Sequence, residues 1–84
     1  MSYAVFILRR AQKELAELPF EVYERVKGDI QNLGKEPRPQ GCKKLTGREG
    51  WRIRVGDYRI VYEIDDARSV VTVLDIGHRP DIYR

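Results

Sequence analysis

Eighty-four residues provide room for one small core, so the chain is read as a single domain over 1–84. At 42% hydrophobic and 35% charged it has the balance of a soluble globular domain, and its net charge of +3 suits a polyanionic partner. The single cysteine, Cys42, excludes an intrachain disulfide and offers no metal cluster, which fits a reducing cytoplasm. No apolar run approaches the roughly 20 residues of a membrane span, and no membrane association is expected. The opening MSYAVFILRR has its apolar stretch before the basic pair, the reverse of a secretory signal.

Tyr3 to Leu8 is short, apolar and rich in β-formers, and reads as a buried strand. The period then changes. Ala11, Leu15 and Leu18 recur at helical spacing among charged residues, predicting an amphipathic helix of about ten residues. Pro19 ends it and suits the first turn of a second helix. Phe20, Tyr23, Val26, Ile30 and Leu33 mark the buried stripe of that helix, and Gly34 is its stop signal. Lys35 to Gly41 is a loop, and Cys42 to Leu45 leads into or begins a strand.

Trp51 to Ile64 reads as a β-hairpin around Gly56-Asp57. Gly-Asp, rather than Asp-Gly, favours a type II′ turn. Val55 then faces Tyr58, Arg54 faces Arg59, Ile53 faces Ile60 and Arg52 faces Val61. Trp51, Ile53, Val55, Tyr58, Ile60 and Tyr62 share one apolar face. Arg52, Arg54 and Arg59 share the other, which has no aromatic platform for stacking bases. Like charges across an antiparallel pair destabilise it. Two explanations stay open: a solvated face balanced by Glu63, or a site for an anion, most simply phosphate. Lys43, Lys44 and Arg48 add positive charge just upstream as candidate RNA contacts.

Ser69 to Ile76 is a β-prone, near-continuous apolar run, expected as a central last strand with the first strand beside it, the intervening chain being long enough for a parallel pairing. The predicted order is β-α-α-β-β-β. This is an α+β domain with a small, mostly antiparallel sheet of about four strands and an N-terminal helical hairpin on its apolar face, leaving the arginine face open. The chain ends Gly77-His78-Arg79-Pro80-Asp81-Ile82-Tyr83-Arg84. Gly77 allows a sharp turn that would fold this tail back to the sheet. The tail supplies a His, an Arg and a Tyr to accompany the arginine cluster. RNA cleavage needs such parts: cationic donors on the phosphate, a base for the 2′-hydroxyl and an acid for the leaving oxygen.

The whole chain resembles toxins of the RelE/ParE superfamily, on the RelE side. The likeness rests on the strand-helix-hairpin opening, on Lys44-Leu45 and Gly47, on the Trp51–Tyr62 pattern W-R-x-R-x-G-x-Y-R-x-x-Y, and on Gly77-His78-Arg79 with Tyr83. The resemblance implies a toxin of a type II toxin-antitoxin system. It implies a metal-independent, cofactor-free endoribonuclease, an mRNA interferase that cuts mRNA in the ribosomal A site and so inhibits translation. The alternative is a ParE-like gyrase inhibitor without nuclease activity. Implied partners are a cognate antitoxin with an acidic or amphipathic segment, the ribosome and its mRNA, and operator DNA only through the antitoxin.

Carried over by position, Arg59 and Arg79 match the family's phosphate-stabilising arginines and Tyr83 its C-terminal tyrosine base. Arg52 and Arg54 stand where the best-known member has lysines. Arginine does not give up its proton, so these two are electrostatic and positioning groups. The base is Tyr83 or His78. A tyrosine phenol ordinarily titrates near pH 10 and needs neighbouring cations to ionise, whereas a histidine near 6.5 does not.

Overall fold

The structure, a computed structural model, describes residues 2–47 and 49–78. The elements are β1 (Ala4–Ile7), α1 (Arg9–Ala16), α2 (Phe20–Leu33), β2 (Lys43–Lys44), β3 (Trp51–Val55), β4 (Tyr58–Asp65) and β5 (Val70–His78). They form one sheet in the order β1-β5-β4-β3-β2. β1 runs parallel to β5, and every other pair is antiparallel. The expected α+β layout is present, with β5 inside the sheet. The sheet has five strands because Lys43–Lys44 adds a two-residue edge beside β3. α1 is eight residues long, shorter than its periodicity implied.

The hairpin register matches the alternation: Trp51 pairs with Tyr62, Ile53 with Ile60, Arg54 with Arg59 and Val55 with Tyr58. Gly56 has φ +62°, and Asp57 is not among the positive-φ residues, the signature of a type II′ turn. The helices lie over the apolar face. Ala11, Val26, Ile30 and Leu33 join Ile53, Val55, Ile60, Tyr62, Val71, Val73 and Ile76 in the core, with Leu15 and Leu18 packed against it. Among the described residues no helix is long and apolar enough to cross a membrane.

Tyr62 lies in this core, and its hydroxyl donates to the carbonyl of Pro37 at 2.8 Å. Burial pushes its phenol well above the usual tyrosine value, so the group remains a hydrogen-bond donor. That bond ties the loop after α2 to the middle of the sheet. The same loop is held at its outer side. The Arg38 guanidinium stacks on Trp51 at 5.0 Å and pairs with Asp66 through two bonds of 3.2 and 2.9 Å. The Tyr3 hydroxyl donates to the same carboxylate at 2.7 Å.

β5 continues through Gly77 to His78, so no sharp turn occurs at Gly77. Between Val61 and Tyr62 the register with β5 slips: Val61 faces Asp75 while Tyr62 faces Val73, leaving Leu74 as the extra residue.

Two glycines separate the demands of this backbone. Gly28, inside α2, has nothing within 4 Å of an added Cβ. Gly28→Ala should therefore stabilise by about 0.5–1 kcal/mol, as a helix-interior glycine gives way to alanine. Gly50 has φ +128°, and its added Cβ would meet Leu45 Cδ1 at 3.0 Å and the Tyr62 carbonyl oxygen at 3.3 Å. Gly50→Ala should destabilise by about 1–3 kcal/mol. Urea unfolding midpoints of the two variants should move in opposite directions.

Candidate RNA-cleavage site

Alternation along β3 and β4 puts Arg52, Arg54 and Arg59 on the sheet face turned away from the helices. Lys43 pairs with Arg52 and adds a fourth cation to that face. Lys44 pairs with Trp51, one step out of phase with the arginines. The expected open arginine face is graded in depth. Arg54 is exposed, Arg52 half-buried and Arg59 only 1% exposed. Its neighbour Val61, on the same face, is 2% exposed. Across the ladder from Arg59 stands Gly77, which has no side chain to compete for its space.

Beside the exposed arginines lies an open cleft of about 340 Å³, lined by Gln40, Gly41, Lys43, Arg52, Ile53 and Arg54. Its outer wall is the loop that Arg38 and Tyr62 hold in place. Three of its lining side chains are cationic, so it offers concentrated positive potential and the planar donors that suit phosphate oxygens. Arg38, Gln40 and Gly41 were not marked out by sequence. Their roles depend on contacts with Trp51, Asp66 and β3 that no local pattern encodes.

His78 is where the sequence reading and the structure part. It pairs with Tyr58, and their rings meet edge-to-face at 5.4 Å and 89°. Tyr58 shares the helix-side face with Ile60, so His78 stands on the opposite side of the sheet from Arg54 and Arg59. The cause is the extra residue at Leu74. Simple alternation from Val71 and Val73 would turn residue 78 towards the arginines, and the bulge reverses that parity. The aromatic content of the arginine face also differs from expectation. Phe6 aligns with Thr72, which aligns with Glu63, so Phe6 stands on that face and is 59% exposed. It lines a groove of about 820 Å³ that also includes Glu63, Thr72 and the Trp51–Arg38–Asp66 cluster.

Arg48, Arg79 and Tyr83 lie outside the described residues. Among the described residues, no group of His, Cys, Asp and Glu is disposed to hold a metal ion. Cys42 packs partly buried against the core, as a small structural residue does.

Residues 5–83 match the family described as ParE toxin of type II toxin-antitoxin system, parDE. Toxin RelG of Mycobacterium tuberculosis is 34% identical over 88 residues, covering 100% of this chain and 99% of that one. The mRNA interferase toxin RelE of Escherichia coli is 32% identical over 82 residues, covering 94% of this chain and 85% of the relative. Among solved structures, the archaeal RelE-RelB complex of Pyrococcus horikoshii superposes with a TM-score of 0.83 at 32% identity, covering 94% of this chain and 97% of that one.

The clamp behind the cleft is sensitive to acid. Hydrogen bonds from Arg38, and secondarily from Tyr3, hold the Asp66 carboxyl below its ordinary value. A carboxylate depressed on folding contributes stability above its unfolded pKa, and that contribution is lost as pH falls through the folded one. The gap in urea midpoint between wild type and Asp66→Asn should be constant above about pH 5 and close progressively on acidification below it.

Proposed function

The chain belongs to the ParE toxin family of type II toxin-antitoxin systems and is a RelE-like toxin, and from this we propose that it is an endoribonuclease that cleaves mRNA in the ribosomal A site. The single observation that carries the reading is the cation-rich face of the β3–β4 hairpin, where Arg54 and Arg59 face each other beside a cleft. Clustered guanidiniums present planar donors and positive potential that suit phosphate oxygens. An RNA phosphodiester offers such oxygens, and its developing transition-state charge is favoured by that potential more than the ground state is.

In the proposed reaction the 2′-oxygen attacks the adjacent phosphorus in line as its proton passes to a base. The 5′-oxygen leaves and takes up a proton. The products are a 2′,3′-cyclic phosphate and a 5′-hydroxyl. Arg52, Arg54 and, by resemblance, Arg79 hold the non-bridging oxygens, while Arg59, matched by the same resemblance and buried beneath the face, adds positive potential to them. Tyr83 is assigned as the base by the same resemblance. His78 is assigned a structural role, because its ring packs on Tyr58 across the sheet from the arginines. Lys43, Lys44 and Arg48 are assigned to contacts along the RNA or ribosome, Lys43 within the cleft itself. The ribosome would orient a substrate that so small a site cannot hold unaided. The proposed partner is a cognate antitoxin, as in the RelE-RelB complex the fold resembles. Through it the toxin would reach operator DNA. The name of the matched family favours one second reading, inhibition of gyrase.

Primer extension on an mRNA under translation decides between them. Wild-type protein should create new 5′ ends within codons at the A site. Arg54→Ala, which alters an exposed side chain, should slow cleavage by about 10²-fold, the scale for losing one preorganised donor. Tyr83→Phe should abolish it, while His78→Asn should stay within about threefold of wild type, since removing a group outside the proton-transfer path leaves the barrier unchanged. Growth arrest with intact mRNA and blocked supercoiling would select the gyrase reading. Products bearing a 3′-hydroxyl and a 5′-phosphate would refute the 2′-oxygen mechanism.

A further inference from the structure

β1 lies beside β5 only along Val70–Val73. Beyond Val73, β5 has α1 for a neighbour in place of a strand. The last backbone bond of the parallel ladder is Leu8 N–H to the Val73 carbonyl at 3.0 Å. Further along, the N–H of Ile76 donates to Oε1 of Glu14 at 2.9 Å, where a continuing strand would have offered a carbonyl. Next to it, Arg10 Nε meets Asp75 Oδ1 at 3.0 Å. Arg10 and Glu14 are four residues apart on α1 and therefore share one helix face. Together they grip consecutive residues of β5.

The gripped segment has a particular place in the sheet. It follows the bulge at Leu74, where the ladder with β4 is locally disrupted, and it leads directly to Gly77, the residue across from Arg59. A strand end with no partner strand on one side frays, and a frayed Gly77 would leave the wall beside Arg59 undefined. A carboxylate accepting from a backbone N–H makes a short, charge-assisted bond.

We infer that Glu14 is a positioning residue: by taking the place of a missing strand at the Ile76 N–H, it fixes the end of β5 and so the position of Arg59 in the phosphate site. Its functional consequence rests on the cleavage reading above, whereas the clamp itself does not. Glu14 acts on the site through β5, where its Oε1 accepts from the Ile76 N–H. Its effect should therefore appear in turnover and leave substrate capture by the exposed Arg54 and Lys43 intact.

The test compares Glu14→Ala, Glu14→Gln and, as a charge control on the exposed face of α2, Glu24→Ala. Cleavage of ribosome-bound mRNA gives kcat and KM, and NMR-detected amide exchange reports on Ile76. Glu14→Ala should lower kcat about tenfold with KM within about twofold, the pattern of a displaced catalytic group. Its Ile76 amide should exchange at least about tenfold faster. Glu14→Gln keeps an acceptor oxygen and should restore both readouts to within about threefold. Glu24→Ala should behave as wild type.

Unchanged kcat in Glu14→Ala would overturn the inference, as would Glu14→Gln failing as badly as Ala. If wild-type protein cuts no mRNA, the cleavage reading fails by itself. The clamp is then upheld by fast Ile76 exchange in Glu14→Ala with protection regained in Glu14→Gln, and overturned by exchange at the wild-type rate.

Discussion

The register of the β3–β4 hairpin is the constraint on which the molecule depends. Side chains alternate with period two, so a slip of one residue would bury Arg52, Arg54 and Arg59 under the helices and expose Ile53, Ile60 and Tyr62. Three features oppose that slip. Gly56 at φ +62° fixes a two-residue turn. Ile53, Val55, Ile60 and Tyr62 join the helices' buried residues in one core. Tyr62 and Trp51, a directly opposed pair, reach Pro37 and Arg38 in the same loop. A single register thus builds the core on one face and a basic site on the other.

The two faces make opposite demands on stability. On the helix side, burying large aliphatic side chains favours the fold at about 25 cal/mol per Å² of apolar surface removed from water. On the other side, Arg54 stands across from Arg59, and Arg52 from Lys43, which opposes it. The cationic arrangement persists because the apolar face fixes the backbone beneath it. Gly77 contributes by leaving the place opposite Arg59 without a side chain.

Local pattern was sufficient for much of this architecture. Helical spacing marked α2 to its stop at Gly34, and alternation gave the hairpin pairs from Val55–Tyr58 to Arg52–Val61. The near-continuous apolar run of β5 correctly implied a central strand, yet that same continuity hid its register. Thr72 and Asp75 are its polar residues before Gly77, and their odd spacing did not by itself reveal the extra residue at Leu74; His78 was read as part of a tail turning back at Gly77, whereas it continues β5 and pairs with Tyr58. Burial of Arg59 was equally invisible, since alternation gives a face and not a depth. The Arg38–Asp66 pair and the Glu14–Ile76 bond join residues 28 and 62 positions apart, beyond the reach of any periodicity. The roles of Arg79 and Tyr83 rest on family resemblance alone.

The pairing of the first strand with the last has a consequence for the order of events in the cell. Ala4 finds its partner only in Val70, and β5 is also the neighbour of β4, so the sheet stays open on that side until β5 is in place. Non-local pairing of this kind closes late and slowly. The nascent polypeptide therefore has no finished core, and Arg59 has no Gly77 across from it, while most of the chain is still being synthesised. The basic face is thus completed in the same step as the core, when β5 docks between β1 and β4.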